Sequence, residues 1–324
     1  MAAHVIVTPV YEDSEAATQL FLELREALGP TITIVAVDDG SVRDPIQPET
    51  IAAAGLQGIV IRLKRNVGHQ RAIAVGISYV SEYMTDATCV VMDSDGEDTP
   101  KSVIPLIAQL TLGNVDVIVA RRRKRSETLK FRIFYLVYKI FFKIMTGRQI
   151  SFGNYMALTP FAVQRLSAMQ ELWTHVAGCV LLSKLRISHL PLDRGNRYAG
   201  RSKMNFAGLV LHGFRAFMVF AEDVLVRAGI ACAAVSFLAI LGVIMSVLLK
   251  SIGMATPGWF SVALGILILV LLQTSALTLM SLMLTGIVRG GNLLSANYRE
   301  LVEEILPAAP AGASAPRFKL TNAS

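Results

Sequence analysis

From Ala228 to Leu249 the chain carries no charged side chain, and after Lys250 it is uncharged again from Ser251 to Val288. Each run exceeds the ~20 apolar residues that a helix needs to cross a bilayer. Between them, Lys-Ser-Ile-Gly-Met-Ala-Thr-Pro-Gly over 250–258 supplies the breakers of a short turn. The pattern predicts two antiparallel transmembrane helices, about 228–249 and 258–284, inside a membrane segment of 228–288. A long hairpin buried in a soluble core is the competing reading, and the charge-free length weighs against it. Arg215, Arg227, Arg289 and Arg299 flank one side and Lys250 alone the other. By the positive-inside rule both termini are then cytosolic.

Composition is uneven in a way that agrees. Hydrophobic residues make up 53% of the 324 and mean hydropathy is +0.52, too high for an ordinary soluble enzyme. The surplus sits in 129–146 and 205–288. Residues 129–147 form a different kind of helix, in which Arg132, Lys139 and Lys143 share a narrow stripe on an otherwise aromatic and aliphatic cylinder. Such a helix is expected to lie in the headgroup layer. Residues 205–227, with His212, Arg215, Glu222 and Asp223 on one side, are expected to be a second interfacial helix. In 289–324, a short amphipathic helix over 297–306 is expected to precede a low-complexity tail.

The formal net charge is +7, with a basic run Arg121-Arg122-Arg123-Lys124-Arg125. That balance suits phosphates, nucleic acid or an anionic membrane, and does not choose among them. Cys89, Cys179 and Cys232 lie far apart without a CxxC pair, which argues against a disulfide framework or a structural zinc site. The first residues run straight into a strand-like His4-Val5-Ile6-Val7-Thr8 with no signal-peptide pattern, so the domain over 1–204 is expected in the cytosol.

That domain alternates strand and helix. Val5–Thr8, Thr31–Val37, Gly58–Leu63, Thr88–Met92 and Val115–Ala120 read as buried strands; Ser14–Leu28, Gln70–Tyr83 and Lys101–Leu112 read as helices. The pattern implies an α/β, mostly parallel sheet covered on both faces, with ligands beyond the carboxyl ends of the strands. The polar motifs fall at those ends: Pro9-Val-Tyr11-Glu12 after the first strand, Asp38-Asp39-Gly-Ser after the second, and Asp93-Ser-Asp95-Gly-Glu97-Asp98 after the fourth. No GxGxxG accompanies them, so the phosphate loop of a dinucleotide site is missing. Acidic groups at the first two positions suit a base or ribose, although Asp-Asp-Gly-Ser is as often only a turn. Four carboxylates within six residues call for a cation, and oxygen-only ligands select a hard one such as Mg²⁺ or Mn²⁺. An EF-hand is excluded by the break at Pro100; a solvated acidic loop stays open.

Taken in order, Pro9-x-Tyr-Glu, Val37-Asp-Asp-Gly-Ser, Arg65-Asn-Val-Gly-His-Gln, Asp93-x-Asp and Arg197-Tyr-Ala-Gly-Arg-Ser-Lys resemble the family 2 glycosyltransferases. The resemblance is nearest the polyprenyl-phosphate branch and spans roughly 4–290. It implies a GT-A-type, Rossmann-like nucleotide-sugar domain with a membrane hairpin. The partners implied are a UDP- or GDP-linked sugar, a polyprenyl phosphate and the membrane, without nucleic acid; a homo-oligomer is left open. By the resemblance, Pro9, Tyr11, Glu12, Asp38, Asp39, Asn66 and Asp93 would hold the nucleotide, and Asp93, Asp95 and Glu97 the metal. Arg122, Arg125, Arg194, Arg197 and Asn154 would meet the acceptor phosphate, with Asp93, Asp95, Arg122, Arg125, Arg197, Ser202 and Lys203 as the catalytic set.

One position departs from the pattern. Where relatives carry Gly-Asp-Phe-Arg, this chain has Gly153-Asn154-Tyr155-Met156, and an asparagine cannot accept a proton. A phosphate monoester, with a second pKa of about 6, needs no base, so Asn154 favours a lipid-phosphate acceptor while leaving a different acceptor or lost activity open. His69, beginning a helix, is as readily a capping or packed residue as a phosphate donor. A processive polysaccharide synthase would need a Gln-x-x-Arg-Trp motif and more spans; a non-catalytic membrane scaffold would leave the carboxylates unexplained.

Overall fold

The computed structural model describes residues 3–122, 129–149, 152–193, 195–198, 206–254, 256, 258–291 and 297–310. In chain order the elements are β1 His4–Val10, α1 Ser14–Leu28, β2 Ile32–Asp38, α2 Pro48–Ala53, β3 Gln57–Leu63, α3 His69–Tyr83, β4 Thr88–Val91, α4 Val103–Leu112 and β5 Val117–Arg122. They continue with α5 Leu129–Thr146, β6 Met156–Leu158, α6 Pro160–Ser167, α7 Val176–Leu182, β7 Ile187–Leu192, α8 Phe206–Val219, α9 Ala221–Ser251, α10 Trp259–Gly291 and β8 Val302–Ala308. The chain divides into two compact units. One holds 1–132, 150–219 and 295–324; the other holds 133–149 and 220–294.

The first unit is built on one sheet, ordered β7-β5-β6-β4-β1-β2-β3-β8. β1 pairs in parallel with β2 and β4, and β2 with β3. Central strands of such a sheet are apolar on both sides, and the side chains sort by period two. Val5, Val7, Val35, Val37, Ile59 and Ile61 pack toward α3, α6 and α7. Ile6, Ile34, Ala36 and Val60 pack toward α1, α2 and α4. Helix α3 lies so close that a Cβ on Gly76 would stand 2.4 Å from the Val7 side chain; only glycine fits there. The strands predicted from sequence are present with ends moved by a few residues, and the helix expected over 101–112 starts as a 3₁₀ turn at Pro100–Ser102 before α4.

Two features bring the site together. β1 has β2 on one side and β4 on the other, so the chain changes direction of travel across the sheet there, and a crevice opens at the carboxyl ends of β1 and β4. β6 runs antiparallel to both β4 and β5, so the residues before it reach that same edge. β7 is parallel to β5, so the residues after it do so too.

Three expectations are corrected. Residues 297–306 are not an amphipathic helix: Tyr298–Leu301 form a 3₁₀ turn and Val302–Ala308 form β8, antiparallel to β3. Without β8, β3 would present an open edge of unpaired backbone groups; Arg62 pairs with Glu304 across the seam. Pro307 is tolerable because β8 is itself an edge. The helix expected over 205–227 is α8, and it breaks at Phe220, so that Ala221–Arg227 open α9. The single domain expected over 1–204 also gives way, since α5 leaves it and α8 and β8 join it.

The second unit is helical. α9 and α10 are long and apolar enough to cross a membrane, and the most apolar stretches of the two are 11% and 0% buried. Leu238, Leu241, Leu269 and Leu282 stand exposed, which a soluble core helix would not allow. Several hydroxyls bond internally: those of Ser236 and Thr274 meet at 2.6 Å between the helices, and Ser246 donates to the Gly242 carbonyl. α5 ends at Gly147, whose positive φ of 73° stops the helix. The Ile144 carbonyl there accepts from Arg227 at the foot of α9, and Phe142 packs edge-on against Phe220.

Candidate active site

The loops after β1, β2 and β3 are sewn together by their carboxylates. Glu12, at a positive φ of 48°, accepts the backbone N–H groups of Val42 at 2.8 Å, Arg43 at 3.1 Å and Asp44 at 2.9 Å. The Val42 amide leads these bonds in holding the Glu12 carboxyl below the usual range. Ser41 accepts the Glu12 N–H in return. Asp38 is fully buried and accepts from the Ser41 N–H at 2.8 Å; burial raises its pKa. Asp39 takes the Val67 and Gly68 amides at 2.7 and 3.0 Å, and burial likewise raises its pKa. Gly40 permits this closeness, since a Cβ there would stand 2.3 Å from the Arg65 carbonyl carbon. Three residues expected to hold the nucleotide therefore also build the loops. Pro9 is buried within β1, whereas Tyr11 and Asn66 are exposed at the sheet edge.

After β4 the acidic loop folds on itself. Asp98 accepts the Asp93 N–H at 3.1 Å, and Asp95 accepts the Glu97 N–H at 3.0 Å. The segment following β7 is laid against it: the Gly195 N–H donates to the Glu97 carbonyl and the Tyr198 N–H to the Asp95 carbonyl, at 3.0 and 2.9 Å. Arg197 Nη2 lies 2.6 Å from Asp95 Oδ2 and 3.4 Å from Glu97 Oε1. Tyr198 donates its hydroxyl to Glu23 at 2.8 Å, and its ring covers Gly96. Glu23 and Tyr198 were not singled out from sequence; nothing in a helix-face glutamate signals a partner 175 residues away.

His69 supplies the third group. Its Nε2 lies 3.3 Å from Asp93 Oδ1 and 3.1 Å from the Asn154 side-chain amide. Burial, the largest influence, disfavours its charge, but Asp93, Asp39 and Asp98 outweigh it and the pKa rises. A protonated ring donates from Nε2, so Asn154 then faces it with Oδ1. The residue opposite His69 is thus Asn154, the position at which the family resemblance implies an aspartate. Arg122 ends β5 on the same sheet edge. Arg125, Arg194, Ser202 and Lys203 lie outside the described residues.

Among the described residues no three His, Cys, Asp or Glu side chains converge as a ready metal cage. The donor set nevertheless fits a hard cation: Asp95 and Glu97 offer carboxylate oxygens only, and both already face one positive group.

Residues 5–173 match the family model described as Glycosyl transferase family 2. An uncharacterized glycosyltransferase of Synechocystis sp. is 26% identical over 282 residues, which is 82% of this chain and 84% of that one. An undecaprenyl-phosphate 4-deoxy-4-formamido-L-arabinose transferase of Salmonella paratyphi B is 25% identical over 214 residues, and the match spans 63% of each chain. Among solved structures, a mycobacterial protein superposes with a TM-score of 0.50 at 16% identity, over 68% of this chain and 74% of that one. That likeness bears on the fold, which is of the GT-A type.

Proposed function

The chain belongs to family 2 of the glycosyl transferases, and we propose that within it this enzyme is an inverting hexosyltransferase. It moves the sugar of a UDP- or GDP-linked donor onto a polyprenyl phosphate at the cytosolic face of the membrane. The observation that carries this reading is the acidic loop at the β1/β4 crevice, with Arg197 laid across it. The similarity to an undecaprenyl-phosphate sugar transferase supports the lipid acceptor.

In this reading the base and ribose lie over the β1 and β2 loops, which Glu12, Asp38 and Asp39 hold rigid. Asp93, Asp95 and Glu97 would hold Mg²⁺ or Mn²⁺. Such an ion, when bound, offsets the negative charge that collects on a departing nucleoside diphosphate. The acceptor's phosphate oxygen forms the new bond to the anomeric carbon as the bond from that carbon to the diphosphate oxygen breaks, with inversion. An acceptor largely dianionic at neutral pH has no proton to surrender, so Asn154 suffices where a hydroxyl acceptor would need a base. Arg122, Arg125, Arg194, Arg197, Ser202 and Lys203 would meet the two sets of phosphates, for which the guanidinium fork is suited.

The exposed face of α5, with Leu136, Val137, Ile140, Phe141 and Ile144, supports an interfacial position for that helix. The flanking arginines support cytosolic ends for the hairpin. Incubating the purified enzyme with Mn²⁺, labelled donor and polyprenyl phosphate tests the proposal. Label should pass into the lipid fraction, and Asp95→Ala should lower the rate by about 100-fold or more. An unchanged rate in that variant would remove the proposed metal site.

A further inference from the structure

Asp95 and Glu97 are two carboxylates drawn to one point and mostly removed from water, with side chains 18% and 17% exposed. Like charges so placed repel unless a cation lies between them. Among the described residues, a side chain of the enzyme itself supplies such a cation, since Arg197 Nη2 approaches both. That places Arg197 across the oxygens that the proposed function needs for a divalent ion.

The backbone around Arg197 is fixed. The Gly195 and Tyr198 amides are bonded to the acidic loop, the Tyr198 hydroxyl is bonded to Glu23, and a Cβ at Gly195 would stand 2.3 Å from the Gly96 carbonyl oxygen. The guanidinium can therefore leave by rotation of its own side chain, without undocking the segment. Guanidinium is weakly hydrated and binds phosphate oxygens in a fork, so a diphosphate arriving next to the acidic loop offers it a new partner at little cost.

We propose that Arg197 is the resident counter-ion of the metal site: it holds Asp95 and Glu97 together in the cation-free enzyme, is displaced by the divalent ion, and passes to the donor diphosphate. This rests on the assignment of Asp95 and Glu97 as metal ligands under the proposed function. The exchange makes metal and donor binding mutually reinforcing. Each ion that binds alone must evict Arg197 into water, whereas with a diphosphate present the evicted group is taken up. Arg197 thus tunes the metal site against loading in the absence of donor.

The test is calorimetric titration of Mn²⁺ alone into metal-free, full-length protein in detergent, repeated with UDP and with GDP. Removing the competitor in Arg197→Gln should tighten binding of Mn²⁺ alone by about tenfold, and Arg197→Lys should fall between. The same Arg197→Gln change should weaken nucleotide binding at saturating Mn²⁺ and abolish most of the gain in Mn²⁺ affinity that nucleotide confers. If Arg197→Gln does not fold, the Lys variant carries the test alone. Mn²⁺ affinity that is equal or weaker in both variants overturns the exchange while leaving the metal site standing. Absence of Mn²⁺ binding to the wild type, even with UDP or GDP present, overturns the metal assignment and the counter-ion role together.

Discussion

The sheet unit and the hairpin unit are both built from branched apolar residues but treat them in opposite ways. Ile6, Ile34 and Val60 are wholly buried between strands and helices, while Leu238, Leu269 and Leu282, no more polar, are about two-thirds exposed. In the first unit the apolar side chains are removed from water by packing. In the second they stay exposed, on helices long and apolar enough to cross a membrane. Polar groups divide the same way. Ser236, Thr274 and Thr278 of the hairpin bond to each other or to the preceding turn, whereas the carboxylates of the candidate site stand at the carboxyl ends of the sheet unit's strands. Burial therefore has to be judged against the solvent a region meets.

The contrast can be broken most severely in the hairpin. Leu238→Arg places a charge in the middle of α9 and should disfavour membrane insertion by about 2.5–3.5 kcal/mol, read as loss from the carbonate-resistant membrane fraction. Retention at wild-type level would put α9 outside the bilayer. Truncation comes next. Ile34→Ala should destabilise the sheet unit by about 2–5 kcal/mol, seen as a lowered unfolding midpoint, while Leu238→Ala should leave that midpoint unchanged. Equal effects would mean that the two units share one core. A smaller change is expected from Ser236→Ala, since interhelical hydrogen bonds in membranes average about 0.6 kcal/mol; a double-mutant cycle with Thr274→Val measures it.

The smallest expected effect is one of pH. Asp116 accepts three bonds from Arg186, at 2.8–3.0 Å, and these hold its pKa below the ordinary value. A carboxyl depressed on folding contributes stability above its unfolded pKa of about 3.9, and that contribution fades as pH falls through the folded value. The stability difference between wild type and Asp116→Asn should therefore shrink below about pH 4 and stay constant near neutrality.

Much of this architecture is visible in the residues themselves. Strands buried on both faces read as continuous apolar runs, and a hairpin without charge reads as a membrane segment. What escaped are elements whose reason lies elsewhere in the chain. Val302–Ala308 has too few residues to separate a period of two from one of 3.6, and it is a strand because β3 needs an edge partner. Met156–Leu158 is three residues long and pairs only because β4 and β5 flank it. The same holds for the site. Glu12 and Asp39 stand where sequence puts nucleotide contacts, yet their oxygens take backbone amides some thirty residues on. A carboxylate's partner cannot be read when it is another loop's N–H. His69 looked as much a cap as a functional group until Asp93 and Asn154 appeared beside it.

Under the proposed function a lipid phosphate, already ionised, is the acceptor. The direct measurement offers the purified enzyme two lipids of equal chain length, a polyprenyl phosphate and the corresponding polyprenol, with labelled donor and Mn²⁺. Label should appear in the phosphate lipid alone, at a rate that rises with pH through the second phosphate ionisation at about 6 and then levels. Transfer to the alcohol at a comparable rate would contradict it.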